Sequence, residues 1–177
     1  VLVLRCNRNC LRRCKVVSTR LRGNDMELIE KAGNVFLAPD NYYLAHCISA
    51  DYALGKGIAK EFDVVYNMRK RLNEMYPRTV DRVGTALLVD DAFNLVTKKF
   101  FFQKPTLETL EAALVDMKSQ CLEHGIKKIA MPRIGCGLDR LVWKSANACV
   151  CKVIEKVFED TDIEIVVYTL EQKEKSI

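Results

Sequence analysis

In 177 residues there is no apolar run approaching the roughly 18 needed for a membrane-spanning helix. There is no Gly-x-x-x-x-Gly-Lys-Ser/Thr loop and no cluster of aspartates, which sets aside P-loop nucleotide hydrolysis and magnesium-dependent kinase chemistry. Histidine is scarce. His46 falls inside a strand-like run and His124 at a helix end, and neither has a cysteine, histidine or carboxylate at ligand spacing, so no metal or cofactor is expected. Cysteines are present but form no paired framework: Cys47, Cys121, Cys136, Cys149 and Cys151 are scattered through apolar and loop contexts. That usage belongs to a reducing compartment, so a cytoplasmic setting, or a nuclear one in a eukaryote, is expected.

An excess of charge of one sign is missing from most of the chain. The formal net charge is +5, yet residues 1–25 alone carry +6, because Arg5, Arg8, Arg12, Arg13, Lys15, Arg20 and Arg22 face only Asp25. The other 152 residues therefore sum to −1, without the overall basic character that marks a nucleic-acid binder. Residues 1–25 lack an apolar core followed by a cleavage site; a disordered or non-native leader is expected, with an organellar transit peptide as the alternative. Cys6, Cys10 and Cys14 would stack on one helical face but lack the second ligand pair of a zinc site. Residues 26–170 are expected to form one globular domain, and the charged tail 171–177 to fray.

What is there is an alternation of short β-rich runs and amphipathic segments, the pattern of a sheet between helices. Strands are predicted over 26–30, 43–48, 84–90, 93–97, 127–131 and 163–169, and helices over 56–62, 66–76, 106–123 and 143–159. In the third helix Leu107, Leu110, Leu114, Met117 and Cys121 form the apolar stripe, and Thr106 supplies a cap ahead of Glu108 and Glu111.

Three loops follow predicted strands, where ligands of open α/β sheets usually sit. The first leaves Cys47-Ile48-Ser49 and enters a helix through Gly55-Lys56-Gly57; the second ends an apolar run in Thr97-Lys98-Lys99; the third is Pro132-Arg133-Ile134-Gly135-Cys136-Gly137-Leu138-Asp139. Paired glycines at a helix start suit an anion cradle, although a packing turn explains either pair alone. Asp139 suits proton handling or a sugar hydroxyl better than a phosphate. Cys136 reads as a small packing residue, since no histidine stands near it in sequence. Together the loops suggest a cleft for a diphosphate-bearing ligand.

Six blocks in order carry a resemblance: Leu44-Ala45-His46-Cys47-Ile48-Ser49, Gly55-x-Gly57-Ile58-Ala59, Thr97-Lys98-Lys99, Lys104-Pro105-Thr106, Met131 through Arg140, and Val167-Tyr168-Thr169-Leu170. They resemble the macrodomain of the terminal ADP-ribose protein glycohydrolase, over nearly everything from Met26 to Leu170. The resemblance implies an α/β fold, a three-layer α/β/α macrodomain with a central mixed sheet of about six strands. It implies ADP-ribose and ADP-ribosylated protein as partners, no membrane, a monomer, and release of ADP-ribose from acidic side chains. Deacylation of O-acyl-ADP-ribose and a role in the DNA damage response are implied with it.

In that family the strand-end lysine attacks the distal ribose and the loop aspartate completes the reaction; carried over, these are Lys98 and Asp139. Main-chain N–H groups around Gly55, Gly57, Ile58, Ala59, Gly135, Cys136 and Gly137 would hold the diphosphate, with Ser49, Thr97, Arg133, Ile134 and Leu138 completing the cleft. Asn34 and Val35 would meet the adenine and Phe36, Tyr168 and Leu170 would line its pocket, although each of these last three is equally reasonable as core. Family members commonly have Gly-Asp after the first strand, and this chain has Gly33-Asn34-Val35. The Asn34 carbonyl oxygen can accept the same bond without charge assistance, so weaker adenine binding is expected. Two other readings stay open. ADP-ribosylated thymidine in DNA is one target, kept open by Arg69-Lys70-Arg71 and Lys98-Lys99, and a non-catalytic ADP-ribose reader is the other. The separation of Lys98 and Asp139 is also open, and a tight ion pair between them would oppose attack.

Overall fold

A computed structural model of the chain describes residues 28–170. The basic leader with its three cysteines, the start of the first predicted strand and the charged tail lie outside the described residues. Six strands form one sheet: β1 (Ile29–Ala32), β2 (Tyr43–Ser49), β3 (Thr85–Val89), β4 (Ala92–Lys98), β5 (Lys128–Pro132) and β6 (Glu164–Thr169). The helices are α1 (Gly57–Tyr66), α2 (Met68–Met75), α3 (Leu107–His124) and α4 (Val150–Phe158). The strand order is β1-β6-β5-β2-β4-β3, parallel throughout except for the antiparallel β3/β4 pair. Five parallel strands therefore end on one edge of the sheet. The chain leaves β2 toward one side and returns through β5 to the other, which opens a crevice between them at that edge.

Strands covered on both faces need apolar residues at consecutive positions, and β4 is buried from Ala92 through Thr97. One face packs Phe93, Leu95, Ile129, Ile165 and Val167 against Leu110, Leu114 and Met117 of α3 and Ile154 and Phe158 of α4. The other packs Leu44, Val96 and Val166 against Phe62 of α1 and Met68 and Leu72 of α2. The layers are thus those of the α/β/α sandwich.

Helix α3 begins where the sequence indicated: Thr106 accepts from the Thr109 N–H and Thr109 accepts from the Thr106 N–H, a reciprocal cap. Three boundaries differ from expectation. β1 runs to Ala32 instead of ending at residue 30. α1 continues to Tyr66, and a single left-handed residue, Asn67 (φ 52°), separates it from α2. The last helix begins at Val150 and not at residue 143. There Ser145 accepts from the Asn147 N–H, a local turn that competes with helix, and Trp143 is buried with its indole N–H donating to Glu30 across the sheet edge.

His46 is fully buried, stacked on Phe62 at 3.8 Å and hydrogen-bonded through Nε2 to Asn94 Oδ1 at 2.7 Å. Burial pushes its pKa down to about 4, so it packs as a neutral ring. Unfolding restores a value near 6.5. Between those limits the unfolded chain binds a proton that the folded chain does not, so stability falls as pH falls from about 6.5 to about 4, by about 3 kcal/mol in total. Denaturant titrations across that window should show the loss in wild type and a flatter profile in His46→Gln. Equal slopes in the two proteins would refute the assignment.

Candidate active site

The loops after β2, β4 and β5 meet at the carboxyl edge of the sheet, tied to one another by named side chains. Asp51, two residues beyond β2, accepts from the Ser49 hydroxyl and the Ala53 N–H, and its other oxygen accepts from the Phe101 N–H at 3.1 Å. Lys104 Nζ donates to the Leu138 carbonyl at 2.5 Å, joining the loop after β4 to the loop after β5. Tyr52 and Leu54 hold positive φ (51° and 43°), and their buried side chains keep this strained segment in place. Asp51 was not recognisable as a tie from the sequence, because its partner lies 50 residues away. Asp51→Ala is expected to lower stability by about 1–3 kcal/mol, read by thermal denaturation. An unchanged melting curve would count against the tie.

The two glycine loops lie against each other. Gly57 opens α1 at φ +57°, and a Cβ there would lie 3.5 Å from Leu138 Cδ1, so the two glycine loops touch. Gly135 holds φ +70°, and a Cβ there would lie 2.8 Å from Leu141 Cδ1; both strain and contact select glycine. Lys56 precedes α1 without a side-chain cap, so the first N–H groups of the helix, around Ile58 and Ala59, stay open to an anion.

Lys98, the last residue of β4, reaches Asp139 with Nζ to Oδ1 at 2.5 Å, the side chains only 14% and 16% exposed. The separation left open by the sequence is that of a tight ion pair. Cys47 and Cys136 pack nearby as inert thiols: burial first, then the Asp139 charge, pushes Cys47 up to about 12, and burial pushes Cys136 up to about 11. The packing assignment of Cys136 agrees with this, and its Sγ contacts the Ile134 carbonyl at 3.3 Å.

A sequence model of the Macro domain family matches residues 53–150, more than half of the chain. The chain is a macrodomain. It is 44% identical over 145 residues to the ADP-ribose glycohydrolase OARD1 of Homo sapiens, covering 78% of this chain and 88% of that protein. Among solved structures, the macrodomain of Mycobacterium tuberculosis DarG aligns with a TM-score of 0.67 at 24% identity, over 81% of this chain and 97% of that one. Thermosipho africanus DarTG in complex with ADP-ribose aligns with a TM-score of 0.59 at 18% identity, over 85% of this chain and 44% of that one. These two likenesses carry the fold.

Within the macrodomain, Ser49, Gly55, Gly57, Ile58, Ala59, Thr97 and residues 133–138 fall in or beside the three convergent loops. Asn34, Val35, Phe36, Arg133 and Tyr168 have structural employment. Asn34 Oδ1 already accepts from the Phe36 N–H at 3.0 Å, capping a short 3₁₀ turn over Val35–Leu37 in which Val35 is buried. Phe36 packs on Phe62 at 4.7 Å, as core. The Arg133 guanidinium bonds Glu30 at 2.9 Å and lies over the Trp143 ring. Burial opposes ionisation of Glu30, but the Arg133 and Trp143 hydrogen bonds prevail and hold its carboxyl below the ordinary value. Tyr168 packs against the core facing α1 and α2, and Leu170 is 73% exposed.

Proposed function

We propose that this macrodomain is an ADP-ribosyl glycohydrolase that releases ADP-ribose from acidic side chains, with Lys98 as nucleophile and Asp139 as its proton partner. One observation carries the reading: the only amine-carboxylate pair bridging the β4 and β5 loops among the described residues is largely buried beside two glycine cradles. A diphosphate held by the cradles places a distal ribose at the Lys98 end of the cleft. The resting ion pair is the unreactive form, since an ammonium has no lone pair. As substrate enters, Asp139 takes the proton; the Nζ lone pair forms a bond to the anomeric carbon, and the carbon–oxygen bond to the carboxylate breaks with its electrons leaving on the carboxylate. Asp139 passes its proton to the departing carboxylate and takes another from the water that adds to that carbon; the carbon–nitrogen bond breaks with its electrons returning to nitrogen, and the proton on Asp139 then passes to the amine, restoring the ion pair. A binding module needs neither residue, so their pairing favours an enzyme over a reader. The identity with a protein named for ADP-ribose glycohydrolysis supports the same class.

The testing experiment offers the protein two substrates, a glutamate-ADP-ribosylated protein and thymidine-ADP-ribosylated single-stranded DNA, and quantifies released ADP-ribose. An adduct of ADP-ribose mass mapped to Lys98, accumulating in Asp139→Ala, is expected. Binding without turnover of either substrate would overturn the reading in favour of a reader.

A further inference from the structure

The loop that follows Lys98 reads Lys99-Phe100-Phe101-Phe102-Gln103-Lys104, three consecutive phenyl rings between lysines. Phe101 is 62% and Phe102 is 69% exposed. The rings are set against one another, Phe100 parallel to Phe102 at 5.6 Å and Phe101 edge-on to Phe102 at 5.4 Å, which leaves outer faces open to solvent. Their backbone is fixed: the Phe101 N–H donates to Asp51, the Phe100 N–H to the Gln103 side chain, and the Gln103 N–H to the Phe100 carbonyl. Aromatic rings displayed on a pinned loop mark a binding surface, because burying them within the domain would stabilise it.

The charges beside them select the partner. Lys98, Lys99, Gln103 and Lys104 line a cavity of about 460 Å³ next to the rings, with Thr97, whose buried hydroxyl has no hydrogen-bond partner. Lys99 and Lys104 form no ion pair among the described residues. The other basic run, Arg69-Lys70-Arg71, is neutralised by Asp63, Glu74 and Asp90. An apolar protein segment would cover the rings and leave Lys99 and Lys104 without an anionic partner, and a bilayer cannot follow lysines into a concave site. A single strand of nucleic acid satisfies both, stacking bases on phenyl faces and bringing phosphates to the lysines.

We propose that the 99–104 loop is a docking surface for single-stranded nucleic acid at the mouth of the cleft. It does not depend on the Lys98 reaction, and its test uses no turnover. Fluorescein-labelled dT12 is titrated into the full 177-residue chain by anisotropy at several salt concentrations, with calorimetric ADP-ribose binding in parallel. Phe101→Ala and Phe102→Ala are each expected to weaken dT12 binding by about tenfold while leaving ADP-ribose affinity unchanged. Lys99→Ala and Lys104→Ala should each reduce the salt slope by about 0.7. Absence of dT12 binding by the wild type would overturn the proposal. So would binding indifferent to both phenylalanines, which would place the contact on the basic first 25 residues. Phenylalanine-dependent capture by anionic phospholipid vesicles, with oligonucleotide binding intact in the variants, would also overturn it and assign the loop to a membrane surface.

Discussion

Lys98→Ala is expected to lower kcat for release of glutamate-linked ADP-ribose by on the order of 10³-fold or more, with ADP-ribose affinity changed by only a few-fold. The split follows from what each part of the site touches. In the proposed reading the diphosphate is held by main-chain N–H groups around Gly57 and Gly135 without the amine, so ground-state binding is expected to survive its removal. Bond formation to the anomeric carbon does not survive, because no other amine lies at that position. Alanine also leaves Asp139, 16% exposed, without its partner, and an unpaired carboxylate there costs stability. Lys98→Arg separates the two effects. Arginine keeps the positive charge and can hold Asp139, but a guanidinium is never a neutral nucleophile at physiological pH. Lys98→Arg should melt close to wild type and remain inactive. Full turnover by either variant would remove Lys98 from the chemistry. Asp139→Ala should slow turnover by about 10²–10⁴-fold, the range for loss of a proton-transfer group.

Phe62→Ala should have the largest effect on stability, about 3–5 kcal/mol, which lowers the melting temperature by on the order of 10 °C. Phe62 is fully buried and its ring lies 3.8 Å from His46, 4.7 Å from Phe36 and 5.8 Å from Tyr66. It is the ring through which α1 grips the sheet and the turn after β1. Removing it leaves a void bounded by a β-strand on one side, and strands held in a hydrogen-bonded ladder do not collapse readily into a cavity. Because α1 also begins at Gly57, the loss should reach ADP-ribose affinity. Thermal denaturation and calorimetry read the two consequences, and a shift of only about 2 °C, typical of a surface change, would show that the site repacks.

Much of the sheet was legible in the chain because its causes are local. The runs that became β2, β4, β5 and β6 are apolar and β-branched over five to seven residues, and α3 has its cap and apolar stripe within one continuous segment. The helix break at Asn67 was blurred, since one left-handed residue leaves little trace in a periodic pattern. The start of α4 was misplaced because Trp143 and Glu30, which hold residues 143–149 out of the helix, are more than a hundred residues apart. In the sequence Asn34 reads as an adenine contact, and only the folded geometry reveals its cap on Phe36.

For the site, the sequence by itself determined which residue types stand at the ends of which strands: two glycine pairs, a lysine at the end of β4 and an aspartate after β5. It left open whether they meet. Lys98 and Asp139 are 41 residues apart, and their 2.5 Å contact depends on where β5 and β2 fall in the strand order and on how Asp51 and Lys104 tie the loops. The exposure of three consecutive phenylalanines is decided at the same level. A sequence of apolar residues predicts burial, and only the surrounding fold shows that the loop turns their rings outward beside lysines that have no carboxylate partner among the described residues. Local propensity acts over a few residues and can be read along the chain. Distance between loops is set by long-range packing, which no stretch of sequence contains.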